Sequence, residues 1–336
     1  MIALIDKLAR GEHLSLQESR RAMALIMEGL ATPAQIAAYL TALSIKGPTP
    51  DEIAGAAIVM REKATHIDVG DLPVIDTCGT GGTGRKAFNI STCAAVVAAG
   101  AGAYVAKHGN RGATSKCGSS DVLEALGVDV DAGPATVARC IRECHIGFLF
   151  APRLHQAMKH AVPVRKEIGI RTIFNVLGPL TNPAGARRQV MGVFAPDLVE
   201  MIAQVMVRLG VEHGLVVHGS DGLDEITLSG PTLVAEVRGR EVATFEVSAA
   251  DLGLPQSPPT EDRVESAGQG AQMVRAVLDG QAGPHRDIVL ANAAAALYVA
   301  GLAAGLREGV ARAAASIDSG AAARALDALA RLSHGG

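Results

Sequence analysis

Residues 76–112 read DTCGTGGTGRKAFNISTCAAVVAAGAGAYVAKHGNRG, and no other stretch limits the fold so tightly. An apolar run, Leu72 to Ile75, enters a loop carrying Gly79, Gly81, Gly82 and Gly84. A helix-like segment from Ser91 to Ala99 follows. A second strand-like run then ends at Lys107-His108-Gly109-Asn110-Arg111-Gly112. This order predicts a parallel βαβ unit, with both loops at the carboxyl ends of neighbouring strands, where open α/β sheets bind ligands. The first loop offers bare backbone N–H groups and a helix N-terminus, a natural anion site. The second offers Lys107 and Arg111, read here as phosphate contacts. Two convergent anion-binding loops suit a polyphosphate.

Two familiar glycine loops fit less well. Gly79, Gly81 and Gly84 satisfy G-x-G-x-x-G, but the dinucleotide fingerprint also needs an acid at the end of the second strand for the ribose hydroxyls. That strand ends in Lys107-His108. The P-loop pattern needs Gly-Lys followed by Ser or Thr; here Arg85 follows Gly84, and Ala87 follows Lys86. Nicotinamide and P-loop chemistry are both set aside.

The 336 residues suffice for one large α/β domain or two unequal ones. Aromatics make up only 3% and Trp is absent, so the core must be built from small aliphatic side chains. A net charge of −3 leaves no electrostatic footprint for nucleic acid or an anionic membrane. The N-terminal MIALIDKLARGEHLS lacks the features of a secretory signal, and no apolar run reaches membrane-spanning length. The five cysteines show no paired C-x-x-C spacing, and Cys140, Cys144 and His145 read as an ordinary helical turn. A reduced, cytoplasmic, soluble protein is expected.

Residues 1 to about 66 read as helices only. Ser15-Leu-Gln-Glu18 has the form of a capping box for a helix to about Gly29, and Thr32-Pro33 and Thr49-Pro50 mark two further starts. From Leu72 the texture changes to short aliphatic runs alternating with helical stretches: Tyr104–Ala106, Val128–Val130, Gly147–Phe150, Val190–Phe194 and Gly214–His218. That alternation predicts a mainly parallel sheet flanked by helices. Helical material from Arg153 to Leu177 interrupts it, and is expected to pack back on the N-terminal helices. The expected division is a small helical domain, 1–68 with 153–185, and a larger α/β domain, 69–152 with 186–336. Leu233–Val237 and Glu241–Phe245 suggest a late hairpin. Two or three C-terminal helices are expected to start from Glu261, Arg286 and Gly309.

Asp224-Glu225, in HGSDGLDEIT after the run Gly214–His218, are adjacent carboxylates in a Gly-rich loop. Mg²⁺ favours one or two carboxylates plus water and phosphate oxygens. A lone acidic pair is usually a solvated loop; a polyphosphate site on the same sheet edge favours the metal. Ser91 and Thr92 read as N-caps whose hydroxyls can also serve phosphate or metal. Gly118-Ser119-Ser120-Asp121 reads as a capped helix start at which Ser119 can meet an anion. Periodicity alone gives Arg165 no special role.

Together, DTCGTGGTGRKAFNIST, KHGNRGATSKCGSSDVLEALG, VRKEIGIRTIFNVLGPLTNP and HGSDGLDEIT resemble the anthranilate phosphoribosyltransferase family, in order and spacing, over nearly the whole chain. The resemblance implies a fold of nucleoside phosphorylase/phosphoribosyltransferase type, paired as a homodimer through the helical domains. It implies transfer of phosphoribosyl from phosphoribosyl pyrophosphate to the amine of anthranilate, in tryptophan biosynthesis. By motif, Gly79, Gly82, Thr83, Ala87, Asn89, Ile90, Ser91, Thr92, Lys107, Ser115 and Ser119 would bind phosphoribosyl pyrophosphate. Gly79, His108, Asn110 and Arg165 would face anthranilate. Ser91 and Glu225 would hold one Mg²⁺, and Asp224 and Glu225 a second. No acid or base is implied; Arg165 and Lys107 would act by positioning. Thr83 stands where the family commonly has Asp. A pyrimidine nucleoside phosphorylase and a non-catalytic nucleic-acid-binding relative are the rival readings. The intact acidic pair and Arg165 speak against the first, and the charge and intact glycine loop against the second.

Overall fold

Three capping boxes set the N-terminal helices. In the computed structural model, which describes residues 1–82, 88–112, 117–259 and 264–335, these are α1 (Ile2–Ala9), α2 (Leu16–Met27), α3 (Pro33–Lys46) and α4 (Pro50–Glu62). Ser15, Thr32 and Thr49 each accept a backbone N–H three residues on, and Glu18, Gln35 and Glu52 reach back to the cap. Each exchange satisfies two donors that a helix start leaves open. Glu52 does more: it is fully buried, accepts the Leu14 N–H at 2.8 Å, and pairs with Lys46 at 2.9 Å. A buried carboxylate without such partners would be strongly destabilising.

The sheet has the order β3-β2-β1-β4-β5-β6-β7. Strands β1 (Ile75–Thr77), β2 (Val105–Gly109), β3 (Ile146–Phe150), β4 (Arg188–Gly192) and β5 (His213–Gly219) are parallel. β6 (Thr232–Arg238) and β7 (Glu241–Val247) add an antiparallel edge through a two-residue turn, whose Gly239 takes φ +60°. Between the parallel strands run α5 (Ile90–Gly100), α6 (Ser119–Ala125), α7 (Pro134–Cys144), α8 (Ala151–Leu154), α9 (Val162–Ile168), α10 (Phe174–Leu177) and α11 (Leu198–Arg208). After β7 come α12 (Ala249–Leu252), α13 (Ala267–Leu278), α14 (Pro284–Val299), α15 (Leu306–Asp318) and α16 (Ala321–Ser333).

The strands are apolar on both faces because both are covered. Val190, Leu215, Val217 and Val234 join the core built with α5 and α14. Met191, Val216 and Ala235 join the opposite core, which α11 shares with the N-terminal helices. The 156–160 turn packs on α2, α9 on α3, and α10 with the 179–181 turn on α4. From β1 the chain steps outward to β2 and β3, then returns to place β4 on the other flank of β1. The loops leaving β1 and β4 therefore border a crevice at a switch in strand order, the place where such sheets bind ligands.

Two expectations differ from this structure. Val128–Val130 is not a strand: both valines are buried in the turn between α6 and α7, anchoring it to the core, and Asp129 N–H donates to Ser333 Oγ at 2.9 Å. Four long helices, α13 to α16, close the chain rather than two or three; the expected start at Glu261 lies outside the described residues. α14 is apolar nearly all round, so it carries little helical period to read. Among the described residues, no helix is long and apolar enough to cross a membrane.

Candidate active site

The glycine loop leaves β1 and turns across the end of β4. Thr80 N–H donates to Gly192 O at 2.9 Å, and Gly81 N–H donates to Asp224 Oδ2 at 2.7 Å. A β-carbon on Gly79 would stand 2.6 Å from that same oxygen, and one on Gly192 would stand 1.7 Å from the Asp224 carbonyl oxygen. Both positions need glycine because the acidic loop lies directly against them. Gly192→Ala is accordingly expected to displace Asp224 and lower turnover about tenfold or more, while the chain still folds. Steady-state assay beside circular dichroism checks this, and parent-like turnover would refute the close packing.

Glu225 faces the start of α5. The backbone N–H and hydroxyl of Ser91 both favour its charged form, as does the Lys107 ammonium. Burial outweighs them and raises the Glu225 pKa, helped by the neighbouring Asp224 carboxylate. Asp224 is raised as well, chiefly by burial, against the Gly81 N–H. Glu225 and Ser91 line one narrow cavity with Thr77, Gly79, Ala94, Val190, Gly192 and Asn292. Two desolvated neighbouring acids and a hydroxyl form an oxygen-only donor set, which a hard divalent cation such as Mg²⁺ fits and whose ionisation it would favour.

Lys107 is buried beneath the loop and donates to Thr77 O at 2.8 Å. It is an internal countercharge to Asp76 and Glu225. Asp76 is fully buried, accepting the His108 N–H at 3.1 Å and Asn182 Nδ2 at 2.8 Å. Burial still lifts its pKa to about 6. Asp76, Cys78 and His108 each offer a ligand atom within 4.8 Å of the others. Burial, then Asp76, raises the Cys78 thiol, so it stays protonated.

His108 lies beside His155, with ring centroids 5.1 Å apart. Its Nδ1 meets Gly178 O at 3.1 Å. The Nε2 atoms of both rings are buried without a hydrogen-bond partner among the described residues. Burial pushes His108 down to about 3 and His155 to about 4, so both rings are neutral at physiological pH. As pH falls below about 6.5 the unfolded chain binds protons that the folded rings refuse, so stability falls. Asp76 has the opposite sign between about 3.8 and 6. His108→Asn is expected to flatten the fall in melting temperature between pH 6.5 and 4; an unchanged slope would contradict a neutral His108.

The other expected residues fall in separate places. Asn89 is the N-cap of α5 but makes no side-chain cap bond, and Ser91 and Thr92 lie inside the helix rather than capping it. Ile90 and Thr92 are buried, their N–H groups bonded to Phe88 O and Asn89 O. Ser119, first residue of α6, exchanges bonds with the Asn110 backbone at 3.3 Å. Arg111 is not free for phosphate: it pairs with Asp121 and Glu124. Arg165, on α9, lies 5.0 Å from the Phe174 ring, and among the described residues no ion pair or side-chain hydrogen bond holds it. Partial burial lowers its pKa. Thr83, Ala87 and Ser115 lie outside the described residues.

Several residues that border the site escaped the sequence reading. Arg171 donates to Gly82 O and stacks on Phe194 at 4.2 Å, tying the 153–185 segment to the glycine loop. Asp221 accepts from Leu223 N–H, Thr227 Oγ1 and Ser229 Oγ, folding the acidic loop on itself. Asn292 grips Ile226 from α14. Only Asn292 carries a readable signal, as a lone amide within LANAAAAL.

A helical bundle joined to an α/β domain, with a glycine loop and an acid pair in its switch crevice, defines a glycosyl transferase. The helical bundle domain of the glycosyl transferase family matches residues 2–64, and its a/b domain matches residues 71–323. The anthranilate phosphoribosyltransferase of Symbiobacterium thermophilum is 55% identical over 334 residues, 99% of this chain and 98% of that protein. The crystal structure of anthranilate phosphoribosyltransferase from Thermus thermophilus superposes with a TM-score of 0.94 at 42% identity, covering 98% of this chain and 99% of that one. The Saccharomyces cerevisiae enzyme, in complex with PRPP and Mg, gives 0.90 at 28% identity over 99% and 98%. The chain belongs to the anthranilate phosphoribosyltransferase family.

Proposed function

We propose that the protein transfers the phosphoribosyl group of phosphoribosyl pyrophosphate (PRPP) to the amine of anthranilate, giving N-(5-phosphoribosyl)anthranilate and pyrophosphate, a step of tryptophan biosynthesis. The observation that carries this reading is the meeting of the glycine loop, Ser91 and the Asp224-Glu225 pair in one crevice. The yeast relative's complex with PRPP and Mg supports it.

In the reaction the ribose C1–oxygen bond breaks and its electron pair leaves on pyrophosphate. The amine lone pair of anthranilate forms the new C1–N bond, and the nitrogen then releases a proton to solvent. An aromatic amine is unprotonated near neutral pH, so positioning and charge suffice. The glycine loop N–H groups and Ser119 receive phosphate oxygens, while Lys107 offsets the buried acids from below. Arg165 holds the anthranilate carboxylate, and Asn110 and His108 border the ring, a proximity effect. Ser91, Asp224 and Glu225 would hold Mg²⁺, two ions per subunit in this reading, and the metal would supply positive charge against the leaving pyrophosphate.

The proposed division of the chain is 1–68 with 153–185 and 69–152 with 186–336, supported by the packing of the inserted helices on α2, α3 and α4. The proposal includes a homodimer through the helical domain, on which Ile2, Leu30 and Ile45 are exposed. The thiols of Cys78, Cys93, Cys140 and Cys144 support a reducing, cytoplasmic setting. Anthranilate fluorescence tests the central reading: it should decay only with both PRPP and Mg²⁺ present, and not with EDTA. No decay with folded protein would overturn it and direct the work to phosphorolysis.

A further inference from the structure

The acids of the cation site stand on a loop, and a loop holds a carboxylate only as firmly as its own backbone is held. Inside the loop, Asp221 gathers Leu223 N–H at 3.2 Å and the Thr227 and Ser229 hydroxyls at 2.7 and 2.8 Å. Those bonds shape the loop but do not fix it against the rest of the molecule. Gly81 N–H holds Asp224 from the glycine loop, and a second fixing contact, next to Glu225, comes from α14. There the Asn292 side chain accepts the Ile226 N–H at 2.9 Å and donates to Ile226 O at 3.0 Å. The same Nδ2 donates to Ile288 O at 2.9 Å, one turn back on its own helix, which locks the rotamer. Ile226 follows Glu225 directly.

Asn292 is 3% exposed in a stretch where Ala291 and Ala293 to Ala296 are fully buried. An amide in such surroundings is costly unless its bonds are made, and here they are made. Its partner helix matters as much as its bonds. α14 packs along α5, whose first turn carries Ser91. The same helix pair therefore presents the Ser91 hydroxyl on one wall and clamps the residue next to Glu225 on the other. Asn292 itself lines the narrow cavity with Ser91, Glu225, Thr77 and Gly79.

We infer that Asn292 is a positioning residue for the cation site, setting the spacing between Glu225 and Ser91 by holding both backbone groups of Ile226. This rests on the reading of Asp224, Glu225 and Ser91 as the Mg²⁺ site. The Asn292 amide bonds go to the backbone of Ile226 and Ile288, so its removal is expected to act through metal affinity. Residues that orient ligands in this way typically contribute about 10–100-fold to metal affinity.

The test is equilibrium binding of PRPP, without anthranilate so that no turnover occurs, across a Mg²⁺ series. In Asn292→Ala, about tenfold more Mg²⁺ is expected for half of the full PRPP affinity, with parent affinity recovered at saturating Mg²⁺. Asn292→Ser keeps one hydroxyl; it is expected to show a smaller shift of the same kind and serves if the alanine variant does not fold. Ser316→Ala is the matched control, because Ser316 makes a buried bond to Val97 O at 2.9 Å between α15 and α5, away from the acidic loop. An unchanged Mg²⁺ requirement in the Asn292 variant that folds would overturn the inference. So would an equal shift in Ser316→Ala, or weakened PRPP binding that high Mg²⁺ fails to restore. If the parent protein bound PRPP equally well with and without Mg²⁺, the metal reading itself would fall.

Discussion

Glu225→Gln is expected to melt at a higher temperature than the parent in EDTA, while losing turnover in Mg²⁺ on the order of a thousandfold. The two effects share one cause. Burial and Asp224 raise the Glu225 pKa, so the folded protein disfavours the charge that the unfolded chain carries freely. Above the ordinary carboxylate range the folded state holds a proton that the unfolded state has released, and stability falls as pH rises through that window. Glutamine is neutral at every pH and removes the penalty. It also removes the anionic oxygens a divalent cation needs. Adding Mg²⁺ should reverse the order of melting temperatures, because only the parent gains from binding. A lower melting temperature for the variant in EDTA would show that Glu225 serves structure and not a cation.

Arg165→Ala is expected to raise the anthranilate KM about a hundredfold, with the PRPP KM and the fold unchanged. Arg165 is half-buried, lies over Phe174 and has no ion-pair partner among the described residues. Its lowered pKa reports water lost without a countercharge gained. An arriving carboxylate supplies that countercharge to a guanidinium already positioned. Lysine should restore only part of the loss, because it keeps the charge but not the planar fork. Steady-state kinetics with each substrate varied in turn decides this; an anthranilate KM within a few-fold of the parent would remove Arg165 from the site.

What the sequence disclosed follows from how local each signal is. Ser15 announces its helix by a capping box complete within four residues, and Thr32-Pro33 and Thr49-Pro50 announce theirs by proline at the first helical position. The aliphatic runs that became β2, β3, β4 and β5 were visible because a covered parallel strand is apolar along its length. The same signal misled at Val128–Val130, where apolar residues plug a turn. At the site, the Asp224-Glu225 pair and the glycine loop could be read as motifs. Their contact could not, since Gly81 and Asp224 are far apart in the chain and meet only when the sheet orders its strands. Lys107 and Arg111 show the same limit. Both are basic residues at one strand end, yet one lies beneath the loop and the other is neutralised by Asp121 and Glu124.

Loops after β1 and β2 lead into helices, but residues 220–231 are closed at both ends by adjacent strands, with Gly219 opposite Thr232 in register. Closing a loop removes chain entropy, and here that loss occurs when β5 and β6 pair during folding. The segment carrying Asp224 and Glu225 has little conformational freedom left to surrender at the moment of binding. A cation entering there is therefore expected to bind with an affinity set by charge and hydration rather than by ordering of that segment.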